Sequence, residues 1–348
     1  MKYMIEIEYF GKMKIIRRIG KGISMLMDTS AIRLSREYHL DGIRKLNPLL
    51  TYFDSLWCLL RYFIRPNEYF YFAFYNKSSS ARKTFIGDRH LYWIMFPKIN
   101  SRICDLFNNK CHTYQFYKPY YKREVLSLTL PEDINVIKQF AIRHRGFVLK
   151  PTNLNMGRGI VFWDEGTEPL DCCLKRIKDS MAGGVILEEI IEQDPELASF
   201  HPSSVNTIRY AVNYTGDDVI RVFAIIRMGC GDSQIDNTHA GGICAAIDLE
   251  SGVIESKGLR QGGDQFLFHP DTGKQILGTK IPKWEELNDL VEKLKPTGFP
   301  IRLVGWDFAL SKNGWCIVEG NSGPSFRGIQ GCLGKGYKSK LMEIKRRI

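Results

Sequence analysis

The stretch GWDFALSKNGWCIVEGNSGPSF, from Gly305 to Phe326, constrains this chain more than any other. Two apolar runs flank SKNG, a tight-turn tetrapeptide from Ser311 to Gly314, so the stretch reads as a β-hairpin. Asp307, Glu319 and Asn321 interrupt those runs. Carboxylates in buried strands cost free energy unless they are paired or bound to metal. Strand side chains alternate between faces, so Glu319 and Asn321 share one face, and the turn brings Asp307 back beside them. Two carboxylates and an amide make an oxygen donor set suited to one or two Mg²⁺ ions held with a nucleotide, with Mn²⁺ as an alternative. The competing reading makes Asp307 and Asn321 turn residues and Glu319 a solvated side chain.

A chain of 348 residues is long enough for two or three lobes sharing a core. Its net charge of +11 is uneven. Residues 1–145 carry 25 Lys and Arg against 12 Asp and Glu, whereas the remainder carries 24 against 26. A basic first part suits an anionic membrane or a polyanionic substrate; with no nucleic-acid motif in the chain, no nucleic-acid partner is expected. Nine cysteines without a Cys-x-x-Cys pair point to reduced thiols and a cytoplasmic location. Glu6 and Glu8 break the apolar core that a signal peptide needs, and no apolar run is long enough for a spanning helix.

Residues 1–80 read as a helical, aromatic and basic region. Within it, LLTYFDSLWCLLRYFI (Leu49 to Ile64) reads either as a buried core helix or as an interfacial surface near a membrane. Residues 81–145 form a linker lobe, in which Lys110 stands at a helix start. Strands follow: GFVLKP, GIVFW and GVILEEII, then the long runs VNTIRYAVNY and VIRVFAIIRMG joined by a TGDD turn. PKWEELNDLVEKLK reads as an amphipathic helix with Pro in its first turn. Residues 331–348 read as a basic tail.

Familiar phosphate motifs fail. GIQGCLGKG lacks the spacing of a P-loop, and GCGDSQ has Gln234 where a dinucleotide fingerprint needs its last Gly. The seven His residues show no zinc-like spacing. Other residues do fit a nucleotide. Lys150 ends an apolar strand and faces the loop PTNLNMGRGI, where Gly157 and Gly159 let the backbone close on phosphate oxygens and Arg158 adds charge. Arg209 and Arg227 recur on the paired β-runs and suit a transferring phosphoryl group or an acyl phosphate. Each also reads as a surface ion pair, and Lys150 as a solvated hairpin lysine.

In order along about 220 residues stand Lys110, Lys150, NMGRGI, ILEEII, NTIR (Asn206 to Arg209), NTHAGG (Asn237 to Gly242), Asp307, and Glu319 with Asn321. This ordered set resembles the ATP-grasp superfamily. HPSSVNTIRY and HPDTGKQILGTKIPKW resemble its sugar-transfer-associated branch, related to teichuronopeptide-type proteins. The likeness runs from about Tyr69 to Ile329. It implies an α/β (α+β) fold of two subdomains gripping ATP, with residues 146–330 as the nucleotide-binding and catalytic region.

The resemblance also implies roles. Lys110 and Lys150 contact the ATP phosphates, and the loop from Asn155 to Gly159 covers them. The backbone at Glu189 and Ile190 reads the adenine edge, with Glu188 close by, and Asn206 lies near the ribose or metal. Arg209 and Arg227 face the γ-phosphoryl group, while Asn237, Gly241 and Gly242 line the acceptor side. Asp307, Glu319 and Asn321 hold Mg²⁺. The segment from Gly258 to Lys283 departs from the family as an insertion, and its His269 either shapes acceptor choice or packs in the structure.

The expected activity is a carboxylate–amine ligase that joins an amino acid to a sugar or uronic acid of a bacterial surface polysaccharide. Its partners are then a small-molecule or lipid-linked sugar acceptor and an amine donor, with a peripheral membrane contact through the N-terminal region. A kinase using the same ATP site, and a non-catalytic nucleotide-binding subunit of a glycan assembly, are the alternatives.

Overall fold

A computed structural model describes residues 47–100, 106–128, 134–152, 159–178, 184–216, 218–233, 236 and 241–347. Two antiparallel sheets organise it. The smaller has the order β1-β4-β2-β3, from β1 (Val125–Leu128), β2 (Gly146–Pro151), β3 (Val161–Asp164) and β4 (Val185–Glu188). The larger has the order β11-β10-β5-β6-β7-β8-β9. Its strands are β5 (Thr207–Thr215), β6 (Asp218–Met228), β7 (Ile243–Ile247), β8 (Gly258–Arg260), β9 (Gln265–Phe266), β10 (Leu303–Ser311) and β11 (Gly314–Asn321).

The helices that matter below are α1 (Pro48–Tyr62), α2 (Pro66–Tyr71), α3 (Lys110–Tyr117), α4 (Ile134–His144), α5 (Leu170–Lys178), α6 (Trp284–Lys293), α7 (Arg327–Leu333) and α8 (Lys338–Arg346). On the small sheet, Phe147 and Leu149 of β2 and Val185 and Leu187 of β4 pack with Ile137 and Phe140 of α4 and Leu174 of α5. Strand alternation therefore sends Lys150 and Glu188 to the opposite face.

The large sheet is covered on both sides. Tyr210, Ala224, Ile226, Val304, Trp306 and Phe308 share a core with Trp284, Leu287 and Val291 of α6. Ala211, Phe223, Ile225 and Leu303 face the other way, onto Phe96, Ile99, Phe326, Leu341 and Ile344. Arg209, Arg227 and Asp307 have the parity of this second set, so alternation places all three on one face. Ile186 of the small sheet joins the α6-side core and links the two sheets.

The hairpin of β10 and β11 carries a β-bulge. Asp307 pairs with Glu319, but Phe308 pairs with Ile317, which leaves Val318 without a partner across the ladder. Ile317 can then enter the α6-side core beside Phe308 while Glu319 stays on the face of Asp307. Strict alternation along β11 would have forced Ile317 and Glu319 onto one face.

Several boundaries differ from the sequence reading. Strand β4 stops at Glu188: the Glu189 N–H still donates to the Glu124 carbonyl at 3.0 Å, but the Glu124 N–H donates to the Glu189 side chain (Oε2) at 3.0 Å instead of its main-chain carbonyl. Helix α6 starts at Trp284, so Pro282 precedes its first turn. The described part of residues 81–145 is shared between the sheets: β1 belongs to the small sheet, and Phe96 and Ile99 pack beneath the large one. The expected C-terminal tail carries α8, anchored by buried Leu341 and Ile344. Helix α1 is buried on one face only.

Candidate active site

The first group of charges lies on the inner face of the small sheet. Glu188 Oε2 accepts from Arg123 Nη2 at 2.6 Å and from Lys150 Nζ at 2.9 Å. Burial alone would push the Glu188 carboxyl up; Arg123, then Lys150, outweigh it and hold it at about 2. Arg123 also donates from Nη1 to the Ile317 carbonyl of β11 at 2.7 Å, so one guanidinium joins the two sheets.

A second group sits on the large sheet. Asp307, nearly fully buried, is the direct cross-strand partner of both Arg209 and Glu319. Its Oδ1 accepts from Arg209 Nε at 2.5 Å, and its Oδ2 from Arg209 Nη2 at 2.7 Å and Arg227 Nη2 at 2.8 Å. Burial would raise the Asp307 carboxyl, but Arg209 and Arg227 bring it below its ordinary value. Arg227 is steadied by Thr207 Oγ1 at 2.7 Å and lies 3.4 Å from Asp236. Thr207 also donates to Asp236, whose carboxyl is raised chiefly by burial.

Lys110 stands between the groups. Asn109 caps α3 by accepting from Cys111 N–H at 2.8 Å, and the Lys110 N–H donates to the Thr152 carbonyl just past β2 at 3.2 Å. Its ammonium reaches across to Glu319 of β11 at 3.6 Å. Lys110, Lys150, Glu188, Arg209, Arg227, Asp307 and Glu319 thus come together where the inner face of the small sheet meets the hairpin. Gly159 is left-handed at φ 71, a conformation that suits glycine at the end of its loop. Asn155, Gly157, Arg158 and Asn237 lie outside the described residues. Gly241 is left-handed at φ 91, with open space where a side chain would stand, and Gly242 follows it into β7.

Asn321 pairs with Gly305 two steps beyond Glu319, and its amide Nδ2 is buried with no hydrogen-bond partner, a donor left for an acceptor such as a phosphate oxygen. Glu319 is one-third exposed. Among the described residues, no group of three or more His, Cys, Asp or Glu is arranged to hold a metal ion. A cation here would therefore draw its third protein oxygen from an amide. The oxygen set fits Mg²⁺ through Glu319 and Asn321; Asp307 already serves two arginines, so it is a shared ligand rather than a free one.

Two residues assigned to the nucleotide also bond within the fold. Asn206 is fully buried: its Nδ2 donates to Gln193 Oε1, the Leu197 carbonyl and the His201 carbonyl at 2.9–3.1 Å. Its amide N–H groups tie a turn together, while its Oδ1 is buried with no hydrogen-bond partner. The Glu189 N–H donates to the Glu124 carbonyl at 3.0 Å, and Ile190 beside it is exposed. His269 is packed, with its Nε2 2.9 Å from the Gly229 carbonyl, to which it donates.

Arg123 and Asp236 escaped the sequence reading. Arg123 sits in YYKREV, which looks like a solvated charge run, and its partner Glu188 is 65 residues away. Asn100 escaped it too. This one amide accepts from the Arg302 and Leu303 N–H groups at 2.9 and 3.0 Å and donates to the Leu303 and Ser322 carbonyls at 2.7 and 2.5 Å. Tyr92 donates to the Gly323 carbonyl at 3.1 Å. The loop after Asn321 is thus held by the segment before α3.

A profile described as sugar-transfer associated ATP-grasp matches residues 97–346, which takes in both sheets and every group above. Two α+β halves closing on a shared cleft are the ATP-grasp fold. No curated protein matches the chain. Similar solved structures include phosphoribosylamine–glycine ligase from Thermotoga maritima (14% identity, TM-score 0.49, 75% of this chain and 61% of that one). D-alanine–D-alanine ligase from Helicobacter pylori aligns at 14% identity and TM-score 0.45, over 72% and 64%. The ATP-grasp ligase PsnB, complexed with a precursor variant, Mg and ADP, aligns at 15% and 0.42, over 71% and 61%. The chain spans about three-fifths of the length of these structures.

Proposed function

This chain belongs to the sugar-transfer associated ATP-grasp family, and from that premise we propose that it is an ATP- and Mg²⁺-dependent carboxylate–amine ligase. Its proposed acceptor is a sugar or uronic acid of a bacterial surface polysaccharide, and its second substrate an amino acid. The observation that carries this reading is the set of pairs Lys110 with Glu319, Lys150 with Glu188, and Arg209 and Arg227 with Asp307, on two sheets that Arg123 joins. Cations of this number, held in place by the carboxylates of Asp307, Glu319 and Glu188, suit a polyphosphate whose charge shifts during transfer.

In the proposed reaction a substrate carboxylate oxygen bonds to the γ-phosphorus of ATP as the bond to the β-phosphate oxygen breaks. ADP leaves and an acyl phosphate remains. The amine nitrogen then bonds to the acyl carbon, the C–O bond to phosphate breaks, and the amine proton is lost to solvent or phosphate. Lys150 and Lys110 neutralise phosphate charge from the two sides of the cleft. Arg209 and Arg227, preorganised on Asp307, present guanidinium edges to the group in transfer. Glu319 and Asn321, with Asp307 shared, would hold Mg²⁺, which supplies charge neutralisation on the phosphates.

The test is ADP release with candidate uronic acids, with and without amino acids. Release that needs both, together with an amide product, supports the ligase. A phosphorylated acceptor formed without amine replaces it with a kinase, and nucleotide binding without turnover replaces it with a binding subunit.

A further inference from the structure

Helix α1 presents an apolar stripe to solvent. Leu49, Leu50, Phe53, Trp57 and Leu60 recur at three- and four-residue spacing and share one helix face. Their exposures run from 58% at Trp57 to 69% at Leu50. The opposite face carries Thr51, Ser55, Cys58 and Leu59, all buried. Asp54, the only acid on the helix, is taken by Arg82 at 2.6 and 2.7 Å and by the Tyr69 hydroxyl at 2.6 Å.

The stripe continues beyond the helix. Exposed Phe63 ends α1 in a left-handed conformation, its ring centroid 5.8 Å from that of His90. One turn after His90, Trp93 and Ile94 are again exposed, next to the Tyr92 that holds Gly323. Single exposed apolar residues are ordinary, but a contiguous set of this size marks a contact surface.

Charge selects the partner. From residue 47 to residue 100 the exposed charged side chains are Arg61, Arg65, Lys83 and Lys98, and no acid is among them. Asp54 is paired, Glu68 is buried, and half-buried Asp88 accepts from Ser325 Oγ at 2.7 Å. Arg61 follows Trp57 by one turn and Arg65 follows Phe63 by two residues. A second copy of the chain would bring these cations against their own counterparts, whereas an anionic surface offsets them. Trp and Phe on the apolar face with Arg at its edge is the pattern of a helix lying in a lipid headgroup region.

We propose that this face is a membrane-docking surface, seating α1 on an anionic bilayer with the Trp93 turn beside it. The proposal is independent of which reaction the cleft performs.

The test uses the full chain with phosphatidylcholine vesicles, with and without phosphatidylserine, read by co-sedimentation and tryptophan fluorescence. The chain is expected to bind the anionic vesicles, to shift its emission to the blue, and to release as salt rises. Phe53→Glu with Trp57→Glu is expected to weaken binding at least tenfold, and Arg61→Glu with Arg65→Glu to remove the preference for anionic lipid, both with unchanged thermal melts. Failure of the unmodified chain to bind either vesicle overturns the proposal, as does binding unaffected by the two pairs. So does a dimer that the first pair converts to monomer in the absence of lipid. Unfolding of the first pair would show those side chains to be packed, and equally overturns it.

Discussion

Asp307 and Glu319 face each other directly across the β10–β11 ladder, yet their carboxylates live under opposite conditions. Asp307 is buried and held by two arginines, while Glu319 is one-third exposed with Lys110 at 3.6 Å. The first carboxylate sets the positions of Arg209 and Arg227, and the second, beside one lysine, is the one that solvent reaches.

Replacing Glu319 by Gln is expected to reduce Mg²⁺-dependent ATP turnover by about a hundredfold or more with little change in melting temperature. Asp307→Asn should behave differently. It leaves two buried guanidinium groups short of their counter-charge and should lower stability by about 3 kcal/mol as well as activity. Steady-state rates and denaturant melts on the same preparations separate the two. Equal melting losses for both variants would contradict the division of labour.

Arg123→Met is expected to lower stability by about 3–5 kcal/mol, since it strips one cation from buried Glu188 and the link to Ile317. The pH dependence follows from the depressed carboxyl. Glu188 titrates at about 2 when folded against 4.5 as the reference, so its contribution is present above about 4.5 and is lost as pH falls toward 2. Denaturant midpoints between pH 2.5 and 5 should fall more steeply in the parent chain than in Arg123→Met.

Glu68 has the opposite sign. Burial, with Asp88 nearby, raises its carboxyl to about 7 from 4.5, although the Arg65 and Asp88 N–H groups donate to it. The folded chain therefore holds this proton longer than the unfolded one. Stability from this group is full below about 4.5 and declines as pH rises through 7, by on the order of 3 kcal/mol. Glu68→Gln should flatten that part of the stability profile.

Asn206→Ala is expected to cost about 2–4 kcal/mol by stranding the Leu197 and His201 carbonyls, while KM for ATP stays within about twofold in the folded fraction. A large rise in KM without loss of stability would return Asn206 to the nucleotide.

The hairpin was readable because its turn is local and its polar residues interrupt an apolar alternation. Arg209 and Arg227 were readable for the same reason, since period-two spacing fixes which strand residues share a face. The Val318 bulge was not, because a one-residue slip leaves no mark in composition. Arg123 and Asn100 were not, because their meaning lies in partners 65 and about 200 residues away. The stripe on α1 was legible as apolar, but burial is a property of neighbours, and its neighbours cover only one face. Asn206 stands in an NTIR segment that resembles the family pattern, yet its side chain serves the fold.

The Asn100 amide touches the start of β10 and the chain just after the end of β11 at once. A hairpin is ordinarily closed at its turn and free to splay at its other end. Here that free end is laced shut by one side chain from the segment that also carries Trp93. Glu319 and Asn321 consequently sit on a loop of fixed circumference, and a load on the N-terminal segment is delivered to them through the Asn100 amide and the Tyr92 hydroxyl rather than dissipated along the strands.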